Sequence, residues 1–219
     1  MIIHLKNYNT VDNNKKITLR CPSCRQNGTF DSVVSNIIQV SPGNPVERKY
    51  LGQRKCPNSE CHAHIFVIWN SKGEVLISYP PERIDFDSKD IPVDIVDSLE
   101  EALTCHANNA YTASAIMIRR TLEEICNDRN ANGKNLKQRI TSLSKNVILP
   151  PALLNGLDNL RLLGNDAAHI KAKTFTKVGP KEIELAIEVT KEVLKSVYQM
   201  DSIVKRLEQL KSKNNNNGT

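Results

Sequence analysis

Four cysteines in the first third of the chain stand in two close pairs, Cys21 with Cys24 in CPSC and Cys56 with Cys61 in CPNSEC. Pairs of this spacing let two tight turns each present two thiolates. Folding of the 31 residues between Cys24 and Cys56 then brings the turns together into a tetrahedral four-sulfur site. Pro22 and Pro57 follow the first cysteine of each pair and help fix such turns. The expected ion is zinc. With all four positions filled by protein its role is structural, because catalytic zinc keeps a position open for water. His62 and His64 directly follow Cys61 and are competing ligands; Cys61 is preferred because HAHIFV reads as the start of a strand.

A second constellation lies in RLLGNDAAH. Arg161, Asn165 and His169 recur four residues apart, beside the stripe Leu157, Leu160, Gly164 and Ala168. Four residues turn a helix by about 400°, so each step drifts by only about 40° and the three polar side chains line one face over about 12 Å. Gly164 and Asn165 are poor helix formers, which leaves open whether the row is chemistry or packing.

Other polar residues have simpler readings. Arg119 and Arg120 precede Glu123 and Glu124 at i,i+4 spacing, which favours ion pairs on one helix over a substrate role. Lys15, Lys16, Arg20, Arg25, Arg48, Lys49, Arg54 and Lys55 cluster around the cysteine turns, as a phosphate-contacting surface or as solvated strand faces. Tyr50, Phe66 and Trp69 are either core or base-stacking platforms. Cys105 and Cys126 stand alone in helical patterns and read as buried thiols.

The elements that must position these residues divide the chain. Residues 1–78 read as a small β zinc-ribbon domain: KITLR, TFDSVVSNIIQV, VERKYLGQRK, HIFVIWN and EVLISY are strand-like, with turns at SPGNP and SKG. Residues 79–92 are a proline- and acid-rich linker. Residues 93–211 read as five helices, VDIVDSLEEALTCHANNA, YTASAIMIRRTLEEICNDR, LKQRITSLSKN, PPALLNGLDNLRLLGNDAAHIKA and the long KEIELAIEVTKEVLKSVYQMDSIVKRLEQL, and 212–219 as a disordered low-complexity tail. The expected fold class is therefore α+β, a small β zinc ribbon followed by an all-α bundle.

Composition narrows the function classes. The net charge is +6, and residues 1–78 hold ten basic against five acidic residues, so most of the excess sits in the β part. Four thiolates holding one Zn²⁺ would lower that local excess of +5 to about +3, which permits nucleic-acid contact without requiring it. No apolar run reaches the roughly 18 residues of a membrane span, and the start lacks a signal-peptide pattern. The expectation is a cytoplasmic protein without disulfides and with no membrane partner.

CPxC and CPNxxC, then YPP, AYTASAIMIRRTLEEIC and LRLLGNDAAH, together resemble the prokaryotic domain-of-unknown-function family 4145, over about residues 18–195. The resemblance implies a HEPN-like helical domain, commonly dimeric, with relatives that act as metal-independent RNases in antiphage systems or are fused to restriction-enzyme subunits. It implies catalytic roles for His169 as acid or base, Arg161 as phosphate stabiliser and Asn165 as orienting residue. It also implies, as partners, RNA or DNA, a second copy of the chain through the helical domain, and a restriction or defence protein. Seven residues intervene between Arg161 and His169, more than is usual in HEPN nucleases, and Gly164 rather than an arginine precedes Asn165. A non-catalytic partner-binding or dimerisation module is the alternative.

Overall fold

The structure, a computed structural model, describes residues 8–12, 16–40, 48–169, 178–200 and 202–208. The chain divides into two compact units, Met1–Asp85 and Phe86–Thr219. The division falls inside the stretch 79–92 read as a linker. The expected tail, SPGNP and Lys15 lie outside the described residues.

Among the described residues, seven antiparallel strands build the first unit: β1 Tyr8–Asp12, β2 Ile17–Arg20, β3 Asn27–Ser32, β4 Asn36–Val40, β5 Lys49–Lys55, β6 His64–Asn70 and β7 Val75–Tyr79. β5 organises the sheet. One side pairs with β4 near Leu51 and with β3 near Lys55, while the other pairs with β6 along its whole length. Alternation puts Tyr50, Gly52 and Arg54 on the face shared with Ile65, Val67 and Trp69. Ile17, Phe30, Ile37, Cys21 and Cys56 complete that core.

Arg54 overturns its reading as a phosphate contact, because it is fully buried in this core. Its guanidinium lies 4.4 Å from the centroid of the Trp69 ring, and Nη1 donates to Ser32 Oγ at 3.0 Å and to the Gln53 carbonyl at 3.1 Å. Ring face and acceptors replace the water this cation gives up. Gly52 makes room for it: a Cβ there would meet Ile37 Cγ2 at 2.9 Å and Arg54 Nη1 at 3.2 Å. Trp69 is likewise core, and Tyr50 stacks on it.

The second unit is helical: α1 Val93–Ala107, α2 Tyr111–Asp128, α3 Leu136–Asn146, α4 Pro151–Ala168 and α5 Pro180–Leu194. α2 packs against all four others. Its Ser114 is buried and donates to the Ala102 carbonyl of α1 at 2.8 Å, so a small polar side chain brings the two backbones together. Asn135 caps α3 by accepting from the Gln138 amide. Pro151 and Pro180 open α4 and α5, where a missing N–H costs nothing. The long fifth helix read from the sequence is interrupted by a π-helical turn, Lys195–Gln199. Within it Val197 and Tyr198 are buried, and Tyr198 donates to Asp128 at 2.8 Å. Beyond it Met200, Ile203, Val204 and Leu207 are exposed.

α4 departs from its expected outline in two ways. It ends at Ala168, and the C-cap His169 has extended backbone while its N–H still donates to the Asn165 carbonyl at 3.0 Å. Its buried stripe is Leu157, Leu160, Leu163 and Gly164, and Ala168 is exposed. Gly164 brings α4 close to α2: a Cβ there would stand 2.6 Å from Arg119 Cβ and 3.2 Å from the Ala115 carbonyl oxygen. Gly156 faces α5, where a Cβ would meet only Val189 Cγ1, at 2.8 Å.

These two glycines separate packing from helix propensity. Gly164→Ala is destabilising by up to about 2 kcal/mol net, because overpacking of about 1–3 kcal/mol outweighs the gain of roughly 1 kcal/mol in helix propensity. Gly156→Ala stays within about 0.5 kcal/mol of neutral, since a side-chain methyl yields more readily than backbone. Urea unfolding of the two variants checks the order; equal losses would refute the close α2–α4 approach as the reason for Gly164.

Candidate metal centre and the polar row on α4

Each cysteine pair forms a knuckle at the end of a strand. After β2, the Arg25 amide donates to the Cys21 carbonyl and the Cys21 amide to the Gln26 carbonyl, both at 2.9 Å. After β5, Cys61 and His62 both donate to the Asn58 carbonyl at 3.1 Å, and Cys56 donates to the Ala63 carbonyl at 2.8 Å. Both knuckles turn left-handed just after their second cysteine, at Arg25 (φ 63°) and His62 (φ 49°). Asn58 Nδ2 ties one knuckle to the other through Gln26 Oε1 at 3.0 Å. Gly28 lets Pro57 lie close, since a Cβ there would stand 2.6 Å from Pro57 Cγ.

The four sulfurs converge. Cys21 Sγ lies 3.8 Å from Cys61 Sγ, Cys24 Sγ lies 3.8 Å from Cys56 Sγ, and all four fall within 4.8 Å of one another. Four sulfurs about 2.3 Å from a tetrahedral ion stand about 3.8 Å apart, so the set fits a metal ion. Neither histidine belongs to it: His62 and His64 are exposed, and His64 Nδ1 lies 3.0 Å from Gln53 Nε2. Burial pushes the Cys56 thiol up to about 12, whereas the Ala63 amide and then the Ser23 hydroxyl hold that of Cys61 down to about 6.

The basic residues around the knuckles are fewer than their count in sequence. Arg20 and Arg25 both pair with Asp85, and Lys16 pairs with Asp31 at 3.6 Å. Arg48, Lys49 and Lys55 are exposed.

The row on α4 comes together only in part. Arg161 and Asn165 are half-buried on the helix, and His169 is exposed at its end. Arg161 Nε binds Asp158 Oδ1 at 2.8 Å, and this guanidinium holds the Asp158 carboxyl below the usual carboxylate range. The Arg161 carbonyl accepts from Arg119 Nη1 at 3.3 Å, and Arg119 pairs with Glu123 at 3.2 Å. Arg120 pairs with Glu124 at 3.0 Å. Both expected i,i+4 pairs on α2 are therefore formed. Cys126 is buried and its thiol is pushed up to about 11; Cys105 is half-buried and raised by the same desolvation.

Sequence reasoning missed a cavity of about 600 Å³ between α1 and α2. Among the described residues, Asp94, Asp97, Glu101, Glu124 and Asp128 line it with a single cation, Arg120, and none of the three row residues reaches it. An i,i+3 spacing of acids on α1 (Asp94, Asp97) was the available signal. It does not say which helix lies opposite.

Fold and site define an α+β protein in which a β unit with four clustered cysteines is joined to a helical unit. Residues 100–213, over half the chain, match the family model described as Domain of unknown function (DUF4145), and the chain belongs to that family. No curated protein and no solved structure matches it.

Metal analysis of the purified chain is expected to give one ion per chain, and Cys→Ser at any of positions 21, 24, 56 or 61 to lower that occupancy. His62→Ala and His64→Ala are expected to retain it. Binding strengthens as pH rises, because a thiol as high as Cys56 must release its proton to become a ligand. A full ion in Cys21→Ser with loss in His64→Ala would reverse the ligand assignment.

Proposed function

We propose that this is a zinc-stabilised protein that engages nucleic acid through its β unit, while its helical unit serves assembly. The observation that carries the reading is the partition of charge. Arg48, Lys49 and Lys55 are exposed around the four-cysteine unit, whereas the helical unit's cavity is acidic, which phosphate avoids. Four thiolates are the donor set zinc prefers, and Cys21, Cys24, Cys56 and Cys61 leave it no open position. Its contribution is to hold the two knuckles together. The family resemblance adds a cytoplasmic prokaryotic setting, a defence or restriction partner, and a homodimer through the helices.

Metal-independent RNA cleavage is the second reading, and the exposure of His169 favours it. Against it stand the Arg161–Asp158 pair, which occupies the guanidinium a phosphate would need, and the end of the helix before His169.

Binding to a labelled nucleic acid is expected to weaken with salt, with the slope of log K against log salt reduced by about 1 for each of Lys49→Gln and Lys55→Gln. RNA incubated with the protein without divalent metal is expected to be recovered intact. Salt-independent binding would refute the phosphate-contact reading. Cleavage to 2′,3′-cyclic phosphate ends that disappears in a folded His169→Ala variant would establish the nuclease instead.

A further inference from the structure

β5, β6 and β7 turn one face to the core, and the other face carries a second pattern. Three residues stand in register across the strands on that outer face: Gln53 opposite Phe66, and Phe66 opposite Tyr79. The next row outward is Lys55 opposite His64. Phe66 is 43% and Tyr79 69% exposed, and Gln53, Lys55 and His64 are exposed as well. The stacked ring pair of this unit, Tyr50 with Trp69, belongs to the opposite face, so the Phe66 and Tyr79 rings are not spent on each other in the core. One row inward the same face is closed, with Leu51 and Ile68 at 5% and 4% exposure. The two exposed rings are thus confined to one end of the sheet.

We propose that this end of the outer face binds single-stranded nucleic acid, with bases stacked on Phe66 and Tyr79 and a phosphate held by Lys55. Directly opposed positions on neighbouring strands bring two rings side by side, which offers adjacent flat surfaces. Exposed rings on a sheet with basic neighbours accept bases whatever their identity, since every base has a π-face. A duplex hides those faces in its own stack, so the platform discriminates against it. The charge suits a polyanion: the three strands contain no aspartate or glutamate, and Asp31, which faces Lys55 from β3, is paired with Lys16. Gln53 and His64, 3.0 Å apart, supply donors and acceptors beside the rings for base edges. This inference rests on the nucleic-acid reading above and adds to it a strand state and a place.

The test is fluorescence anisotropy on the full metal-loaded chain with short labelled oligouridine, oligothymidine and a duplex of the same length. Both single strands are expected to bind more tightly than the duplex, and a gap between the two would assign a preference for ribose or deoxyribose. Phe66→Ala and Tyr79→Ala are each expected to weaken single-strand binding on the order of tenfold and to leave duplex binding, metal content and melting temperature unchanged. Phe66→Leu, which keeps apolar bulk without a ring, is expected to behave as Phe66→Ala, and Tyr79→Trp as wild type. Undiminished single-strand binding in the Phe66→Ala, Tyr79→Ala double variant, or tighter binding of the duplex, overturns the platform and leaves the broader reading standing. No binding of any of the three probes overturns both.

Discussion

The β unit depends on one constraint: four sulfur atoms from two separate turns must meet within 4.8 Å. Thiols gain little from such crowding by themselves, and Cys56 is held among apolar neighbours that raise its pKa. An ion bound in place of the remaining thiol protons would change the sign of that cost. Everything near the knuckles serves the convergence. β5 delivers Cys56 at its end, β2 delivers Cys21, Gly28 yields to Pro57, and Asn58 reaches across to Gln26. A sheet with so small an apolar core has reason to be held this way.

In the helical unit the comparable constraint is distance between backbones. Gly164 exists where α4 meets α2, and the polar residues around it are largely engaged by that contact: Arg119 spans to the Arg161 carbonyl, and Arg161 turns back to Asp158. The glycine that looked out of place in a leucine-rich helix is explained by packing. His169 is the member of the row that packing does not use.

The cysteine site was legible because its signal is local: two short spacings and two prolines decide it. α3 was legible to the residue, since Asn135 caps its start and the run LKQRITSLSKN ends against β-branched Val147 and Pro150. α4 was legible up to its last turn; a four-residue spacing says nothing about where the backbone leaves the helix, and His169 lies just beyond that point. The alternation in KYLGQRK separates Tyr50, Gly52 and Arg54 from Lys49, Leu51, Gln53 and Lys55. Both sets mix apolar and basic residues, however, and only the partner strand decides that Arg54 goes inside. The engagement of Arg20 and Arg25 by Asp85, some sixty residues along the chain, left no trace in the sequence at all.

The π-helical turn at Lys195–Gln199 acts as a phase shifter. Val193, Val197, Met200, Val204 and Leu207 are spaced as one continuous seam of an unbroken helix. One extra residue accommodated in a turn rotates everything after it by about 100°. The first two members of the seam are buried and the last three are exposed. The repeat also outlasts the packing: every residue from Ile203 to Glu208 is exposed, so beyond the turn the pattern continues in sequence with nothing of its own unit against it.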